Sequence, residues 1–201
     1  GLPVEVAGQT INRLCGSGLQ AVVSATQAIQ LGDADVAVAG GAECMTRGPH
    51  STQSLRSGQK MGDLSFTDMM LGALNDPFGN GHMGITAENV AAEHQISRVA
   101  QDAFAAESHR RAVAAIADGR FVSQIIPVEV RKGRETAMFA QDEHVRADVT
   151  EASLAGLRPA FKKDGTVTAG NASGINDGAG AVVLMEAGMA AARGLKPKAR
   201  I

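Results

Sequence analysis

Cys15 is the side chain of this sequence best placed to do chemistry. It stands in Asn12-Arg13-Leu14-Cys15-Gly16-Ser17-Gly18, where an apolar, strand-like segment runs into a cysteine and an Ala/Val/Ile-rich helix begins just beyond it. At such a point, unpaired backbone N–H groups and the positive end of the helix dipole face the sulfur. Both favour thiolate over thiol. Gly16 and Gly18 take side chains away from beside the sulfur, so a substrate backbone or thioester can come close. The pattern suits covalent catalysis. A second reading stands beside it, because free cysteine is among the most buried residue types and commonly acts as a small apolar filler. The residues alone leave both readings open.

The chain that must position this thiol has 201 residues, 44% of them hydrophobic and 20% charged, which fits a globular chain of one or two domains. It has no Trp, no Tyr and few Phe, so the apolar mass is Ala, Val, Leu, Ile and Met. A core of tight helix–sheet packing is expected, and the 24 glycines point to close approaches and tight turns. A formal charge of −2 gives no electrostatic footprint for nucleic acid. No apolar run reaches the roughly 18 residues a membrane span needs, and no signal peptide is visible. Two cysteines make neither a disulfide framework nor a zinc site. No metal is expected, and a reducing, cytoplasmic compartment fits.

Along the chain, Val4 to Ile11 reads as a strand with Pro3 before it, and Ser17 to Leu31 as a helix closed by Gly32. Asp35 to Gly41 is apolar without alternation, the mark of a strand buried on both faces of a parallel sheet. Strand, helix and strand in this order predict a crossover unit of an α/β fold. Thr46 to Gly84 is Gly-, Ser-, Met- and Asp-rich and too long for an ordinary connection, so it reads as an inserted lobe. A helix is expected after Gly84 with Thr86 as its cap, and another from Ser97 to Asp118, whose Glu107, Arg110 and Arg111 form a solvated face. Ile125 to Arg131 predicts an edge strand, because Pro127 cannot donate to a central ladder. Lys132 to Thr150 reads as an exposed loop with short strands, and Thr168 to Gly180 as a tight passage beside a ligand or another backbone. Ala181 to Met185 is expected as a buried strand, Glu186 to Arg193 as a short helix, and Ala199 to Ile201 as the beginning of a strand.

Several ordered motifs together resemble the thiolase family. Asn12 to Val22 is similar to that family's nucleophile segment, and Gly40-Gly41-Ala42-Glu43 to the glycine-rich turn after the next strand. His82-Met83-Gly84 with Thr86-Ala87-Glu88-Asn89-Val90 resembles the lobe motif beside the thioester. Leu157 to Phe161 and Gly165 to Asp177 resemble the coenzyme A-binding stretch. The His-Met-Gly form and Asp76-Pro77-Phe78 resemble the short-chain branch, which holds acetyl-CoA acetyltransferases and the β-ketothiolases of polyhydroxyalkanoate synthesis. The family's Asn-Glu-Ala-Phe, His-Pro-x-Gly and second-cysteine Cys-x-Gly-Gly motifs do not occur, so the resemblance implies a fragment lacking the start of the N-terminal half and the whole C-terminal half. Cys44 comes too early to be the second catalytic cysteine and, with Met45, is expected to be a packing residue.

The resemblance implies an α/β, thiolase-like fold: part of the N-terminal layered half (residues 1–47 and 177–201) with an inserted loop domain (48–176) that binds coenzyme A. It implies an acyltransferase that makes or cleaves short-chain 3-ketoacyl-CoA reversibly through an acyl-Cys15 intermediate. The substrates would be acetyl-CoA and 3-ketoacyl-CoA thioesters, with no separate cofactor. The Cys15 N–H is a candidate oxyanion donor. Leu74, His82 and Met83 are expected at the pantetheine and acyl end, and Arg146 and Ser153 at the nucleotide end. Phe161, Ala169, Ser173 and Gly174 would form a wall of apolar groups and backbone donors. The resemblance also implies a homodimer or homotetramer, served in part by Ser51 to Asp68, and an isolated chain that is inactive and poorly soluble. A non-catalytic coenzyme A or lipid-carrier module is the alternative. A decarboxylating condensing enzyme is disfavoured by the Ser173-Gly174 loop and the His-Met-Gly lobe.

Overall fold

Helix-forming residues run without a break from Ser17 to Leu31, and the left-handed Gly32 closes the helix by donating its N–H to Ala28 and Ile29. That helix, α1 (Ser17–Leu31), is the first long element of a computed structural model that describes residues 2–201. After it come β1 (Val36–Cys44), β2 (His50–Ser51), α2 (Ser54–Ser57), β3 (Thr67–Asp68), α3 (Met69–Ala73), β4 (Asn75–Asp76) and β5 (Gly81–His82). The longer helices α4 (Met83–Glu93) and α5 (Arg98–Ala117) follow, then β6 (Val128–Lys132), β7 (Glu135–Phe139), α6 (Glu151–Ala155), β8 (Asp177–Met185) and α7 (Ala187–Ala192). Short 3-10 turns lie at Leu14–Gly16 and Met45–Arg47. The chain divides into two compact units, one taking residues up to Pro49 together with Asn176–Ile201, the other His50–Ile175. No described helix is long and apolar enough to cross a membrane.

In the first unit β1 pairs antiparallel with β8 over nine residues, from Val36 opposite Met185 to Cys44 opposite Asp177. Glycines make the pairing and the helix contact possible. A Cβ at Gly40 would overlap the Gly180 carbonyl oxygen and stand 2.9 Å from Ala181 Cα, and one at Gly41 would lie 3.2 Å from Gly18 Cα on α1. Ala39 and Ala190 are the buried apolar residues here, while Val38, Val182, Val183 and Leu19 remain exposed.

This differs from the expected doubly buried parallel strand. The strand at Asp35–Gly41 forms, but its partner is the antiparallel β8 and most of its side chains face outward. Val4–Ile11 is not a strand, and neither is Ala199–Ile201. β-rich composition becomes a strand only where a ladder neighbour satisfies the backbone; here Val4 stays 94% exposed, and Val6 N–H turns back to Pro3 O at 3.2 Å. The expected crossover unit therefore lacks its first strand. β8 begins at Asp177, earlier than expected, because Gly178 to Gly180 lie opposite Gly41 to Glu43 in register. Cys44 is exposed and does not pack: its thiol donates to Asp177 Oδ2 at 3.5 Å.

The second unit carries the inserted lobe. β2 pairs with β3 and β4 with β5 as two-residue ribbons, and β6 pairs antiparallel with β7. The strand predicted at Ile125 begins at Val128, just past Pro127. Ser97 caps α5 as expected, accepting from Ala100 N–H at 3.2 Å. Its exposed face holds Glu107 between Arg110 and Arg111, and the two guanidiniums pull that carboxyl down to about 2. α4 starts at Met83, and its cap is not Thr86 but His82. Buried apolar residues are few, namely Ala91, Leu154 and Val167, and buried polar residues stand among them: Glu88, Asp102 and Thr168.

Candidate functional site

The segment around Cys15 folds as a turn under local constraint. Leu14 takes φ +48°, a left-handed conformation that costs a non-glycine residue about 1 kcal/mol or more. Hydrogen bonds hold it there. Asn12 Oδ1 accepts the Leu14 N–H at 2.9 Å, and Ser17 Oγ accepts the Arg13 N–H at 2.8 Å while donating to Leu14 O at 2.7 Å. Arg13 reaches on to Gln20 Oε1 at 2.7 Å. Cys15 sits in the 3-10 turn that runs directly into α1, and its side chain is exposed rather than buried as filler. Gly16 at the helix start supplies no side-chain cap, so the dipole end beside the sulfur is not masked by a side chain of the capping residue. Gly16 lies over the Arg13 side chain, and Gly18 faces Gly41, where an added Cβ would crowd α1.

Four of the expected ligand-contacting residues come together in the second unit. The Met83 N–H donates to Leu74 O at 2.8 Å, which ties the end of α3 to the start of α4. His82 turns its imidazole back on its own helix, and Nδ1 accepts the Gly84 N–H at 3.0 Å. Phe161 stacks on that ring, with centroids 4.9 Å apart and planes 19° apart. A Cβ at Gly84 would overlap the Phe161 ring, so the stack needs glycine there. Met83 is 43% exposed, while Leu74 and Phe161 are half-buried. The Gly84 bond also assigns the tautomer. In neutral His82 the proton sits on Nε2, which makes the ring's free nitrogen a donor.

The remaining predicted residues lie on neighbouring segments of the same unit. Ser153 is the third residue of α6, and its hydroxyl completes a capping box with Thr150: it accepts the Thr150 N–H at 3.0 Å and donates to Thr150 O at 2.8 Å. Arg146 is exposed, with its guanidinium 3.6 Å from Asp148 and its N–H donating to His109 Nδ1 at 3.2 Å. Ala169 and Ser173 are exposed. His144 lies against Gly174, where a Cβ would overlap its ring, and stacks on His109 at 6.1 Å. No group of three or more His, Cys, Asp or Glu among the described residues could hold a metal ion.

Sequence reasoning missed the residues that fix these segments. Glu88 of α4 accepts the N–H groups of Thr166 and Val167, each at 2.8 Å, and the Thr166 hydroxyl at 3.1 Å. Burial works against its charge. The Thr166 and Val167 amides, the Thr166 hydroxyl and nearby Lys162 outweigh that and hold its carboxyl below the ordinary value of 4.5. Asp102 of α5, 3% exposed, pairs with Arg98 at 2.7 Å and accepts Asn171 Nδ2 at 2.9 Å. Asn171 Oδ1 in turn accepts the Thr168 N–H at 2.7 Å. Glu88 and Asn171 both stand inside the motifs quoted from the sequence, but those motifs name no partners for them.

Comparison with known proteins gives the family. The family description "Thiolase, N-terminal domain" matches residues 1–188. The chain belongs to the thiolase family. The beta-ketothiolase BktB of Cupriavidus necator is 59% identical over 203 residues, an alignment that takes in 100% of this chain and 51% of that protein. An acetyl-CoA acetyltransferase of Allochromatium vinosum is 52% identical over 100% of this chain and 52% of its own length. Among solved structures, Bacillus anthracis acetyl-CoA acetyltransferase superposes with TM-score 0.92 at 46% identity, covering 97% of this chain and 50% of that one. Human mitochondrial 3-ketoacyl-CoA thiolase in complex with CoA gives TM-score 0.86 at 41% identity, over 93% and 47% of the two chains. The thiolase chain described here thus spans about half the length of these relatives. Its fold is the α/β thiolase fold over that span.

Proposed function

We propose that this thiolase chain supplies the nucleophile and the coenzyme A-binding lobe of a short-chain acetyl-CoA acetyltransferase. The observation that carries the reading is Cys15, exposed in a constrained turn at the start of α1, in a chain of this family. In the cleavage direction the Cys15 thiolate attacks the 3-keto carbon of a 3-ketoacyl-CoA. The C2–C3 bond breaks, the acyl group stays on sulfur, and the enolate of acetyl-CoA takes up a proton and leaves. The thiolate of a second coenzyme A then attacks the acyl–sulfur carbon and frees Cys15. The reverse sequence condenses two acetyl-CoA molecules. Sulfur suits both steps because its acyl bond forms and reopens readily.

Residues of the lobe bind and orient. Leu74, Met83 and the His82–Phe161 stack take the pantetheine and acyl end. Arg146 and Ser153 take the nucleotide end, and Ala169, Ser173 and Gly174 the wall between. Nδ1 of His82 is already committed to the Gly84 N–H, so this ring acts as a donor toward a thioester oxygen and not as the base that ionises Cys15. Base, second cysteine and remaining oxyanion donors come, on this reading, from the other half of a thiolase subunit. The 201-residue chain by itself is therefore inactive, and the active form is a cytoplasmic homodimer or homotetramer. The domain roles follow: residues 1–47 and 177–201 present the nucleophile, and 48–176 hold coenzyme A.

The test is alkylation of the two cysteines near neutral pH, resolved by peptide mass spectrometry. Cys15 is expected to react faster than Cys44, whose thiol proton is held by Asp177, and acetyl-CoA is expected to protect Cys15 alone. Equal labelling without protection favours a carrier module. Measurable acetoacetyl-CoA cleavage by the purified chain contradicts its proposed inactivity.

A further inference from the structure

We propose that the pair of half-buried Arg98 and buried Asp102 is a positioning device that sets α6 and the 166–174 loop at a fixed spacing, so that Ser153 on one and Ala169 and Ser173 on the other meet the same coenzyme A. The inference rests on the coenzyme A-binding reading above.

A buried carboxylate is expensive unless paired and fully hydrogen-bonded, and an apolar replacement of equal volume often costs nothing in stability. Its presence on α5 therefore calls for a geometric reason. Arg98 Nε donates to Asp102 Oδ2 at 2.7 Å, and its Nη2 donates to two carbonyls, Leu154 O in α6 at 2.6 Å and Leu157 O just past its end at 3.0 Å. The other carboxylate oxygen, Oδ1, takes Asn171 Nδ2 at 2.9 Å. Through Arg98 on one oxygen and Asn171 on the other, one carboxylate of α5 thus connects the end of α6 with the 166–174 loop. The loop side is equally determined. Asn171 Nδ2 also donates to Thr166 O at 3.1 Å, and the Thr168 hydroxyl accepts from the Gly170 and Asn171 amides at 3.2 and 3.3 Å. The segments also touch directly: a Cβ at Gly170 would come 2.5 Å from Leu154 Cδ2 and Leu157 Cδ1. With no slack at this contact, a shift of either segment displaces the other.

Two substitutions in the full chain separate this role from bulk stability. Asp102→Asn keeps the shape but turns an amide N–H₂ toward one of two donors, so one of the two links must open. Arg98→Lys keeps the charge, but a single ammonium cannot reproduce the planar fork that serves a carboxylate and two carbonyls together. Coenzyme A binding is read by titration calorimetry, hydrogen exchange by mass spectrometry over 150–157 and 166–174, and the Cys15 alkylation rate without ligand serves as the control in the other unit. The expected result for each variant is about tenfold weaker coenzyme A binding, equivalent to about 1.4 kcal/mol. Faster exchange should appear in both segments together, and Cys15 should alkylate at the wild-type rate. Where Asp102→Asn does not fold, Arg98→Lys carries the test. Wild-type affinity in a folded variant, or faster exchange confined to one segment, overturns the positioning role and leaves the functional reading standing. Failure of the wild-type chain to bind coenzyme A overturns the functional reading and this inference with it.

Discussion

The two units of this thiolase chain are held together by opposite means. In the unit of α1, β1 and β8, main chain packs on main chain: glycines at 40 and 41 of β1 let β8 and α1 approach, and large apolar side chains such as Val183 remain outside. In the His50–Ile175 unit, charged and amide side chains hold the loop: Glu88 accepts the Thr166 and Val167 amides, and Asp102 accepts the Asn171 side chain, which in turn accepts the Thr168 N–H. Glycine contacts tolerate no added atom but impose no direction. Buried polar contacts tolerate some change in volume but fix orientation strictly. The first arrangement suits a rigid turn that presents one sulfur. The second suits a lobe that must place several contacts along an extended ligand.

The largest effect is expected from Gly40→Ala, which drives a methyl into the Gly180 carbonyl. The β1–β8 pair must separate, and a loss of about 3 kcal/mol or more is expected in urea unfolding. Circular dichroism is the suitable probe, since the chain has no Trp or Tyr. A loss below about 1 kcal/mol would mean that the strands can slide apart cheaply, and would remove the contrast between the units.

Glu88→Gln comes next, at about 2 kcal/mol, because it removes a charge that several donors surround. Its acid dependence sharpens the point. The folded carboxyl lies below the unfolded value of 4.5, so its stabilisation is complete above that pH and disappears as pH falls through the lower folded value. Wild-type protein is therefore expected to lose stability on acidification below about pH 4.5, and Glu88→Gln to lose less over the same window. Parallel acid titrations of the two proteins would refute the assignment.

The smallest effect concerns the start of α4. His82→Ala should cost about 1 kcal/mol through the lost cap, and Thr86→Ala, one turn inside the helix, only a few tenths. The reverse order would restore Thr86 as the cap.

Much of the fold was legible where local chemistry decides it. Ser97 and the Gly32 boundary marked two long helices because caps act within one turn. Val4–Ile11 was misread because β-branched composition cannot say whether a ladder neighbour exists. The cap of α4 was misread because Thr is the more familiar acceptor, although an unprotonated imidazole nitrogen serves as well. At the site, Cys15, His82 and Phe161 stood out by type and motif. The Glu88–Thr166 bond joins residues 78 apart, and Asp102–Asn171 residues 69 apart, so no window of sequence contains both ends.

Leu14 carries a last consequence. Its positive φ makes it a position where glycine suits the backbone better than the residue present. A screen that rewards heat tolerance would tend to collect glycine there, and in doing so would release the neighbouring sulfur to wander. Robustness and reactivity pull in opposite directions at one residue, so a hardened variant of this protein should be judged by what its cysteine still does.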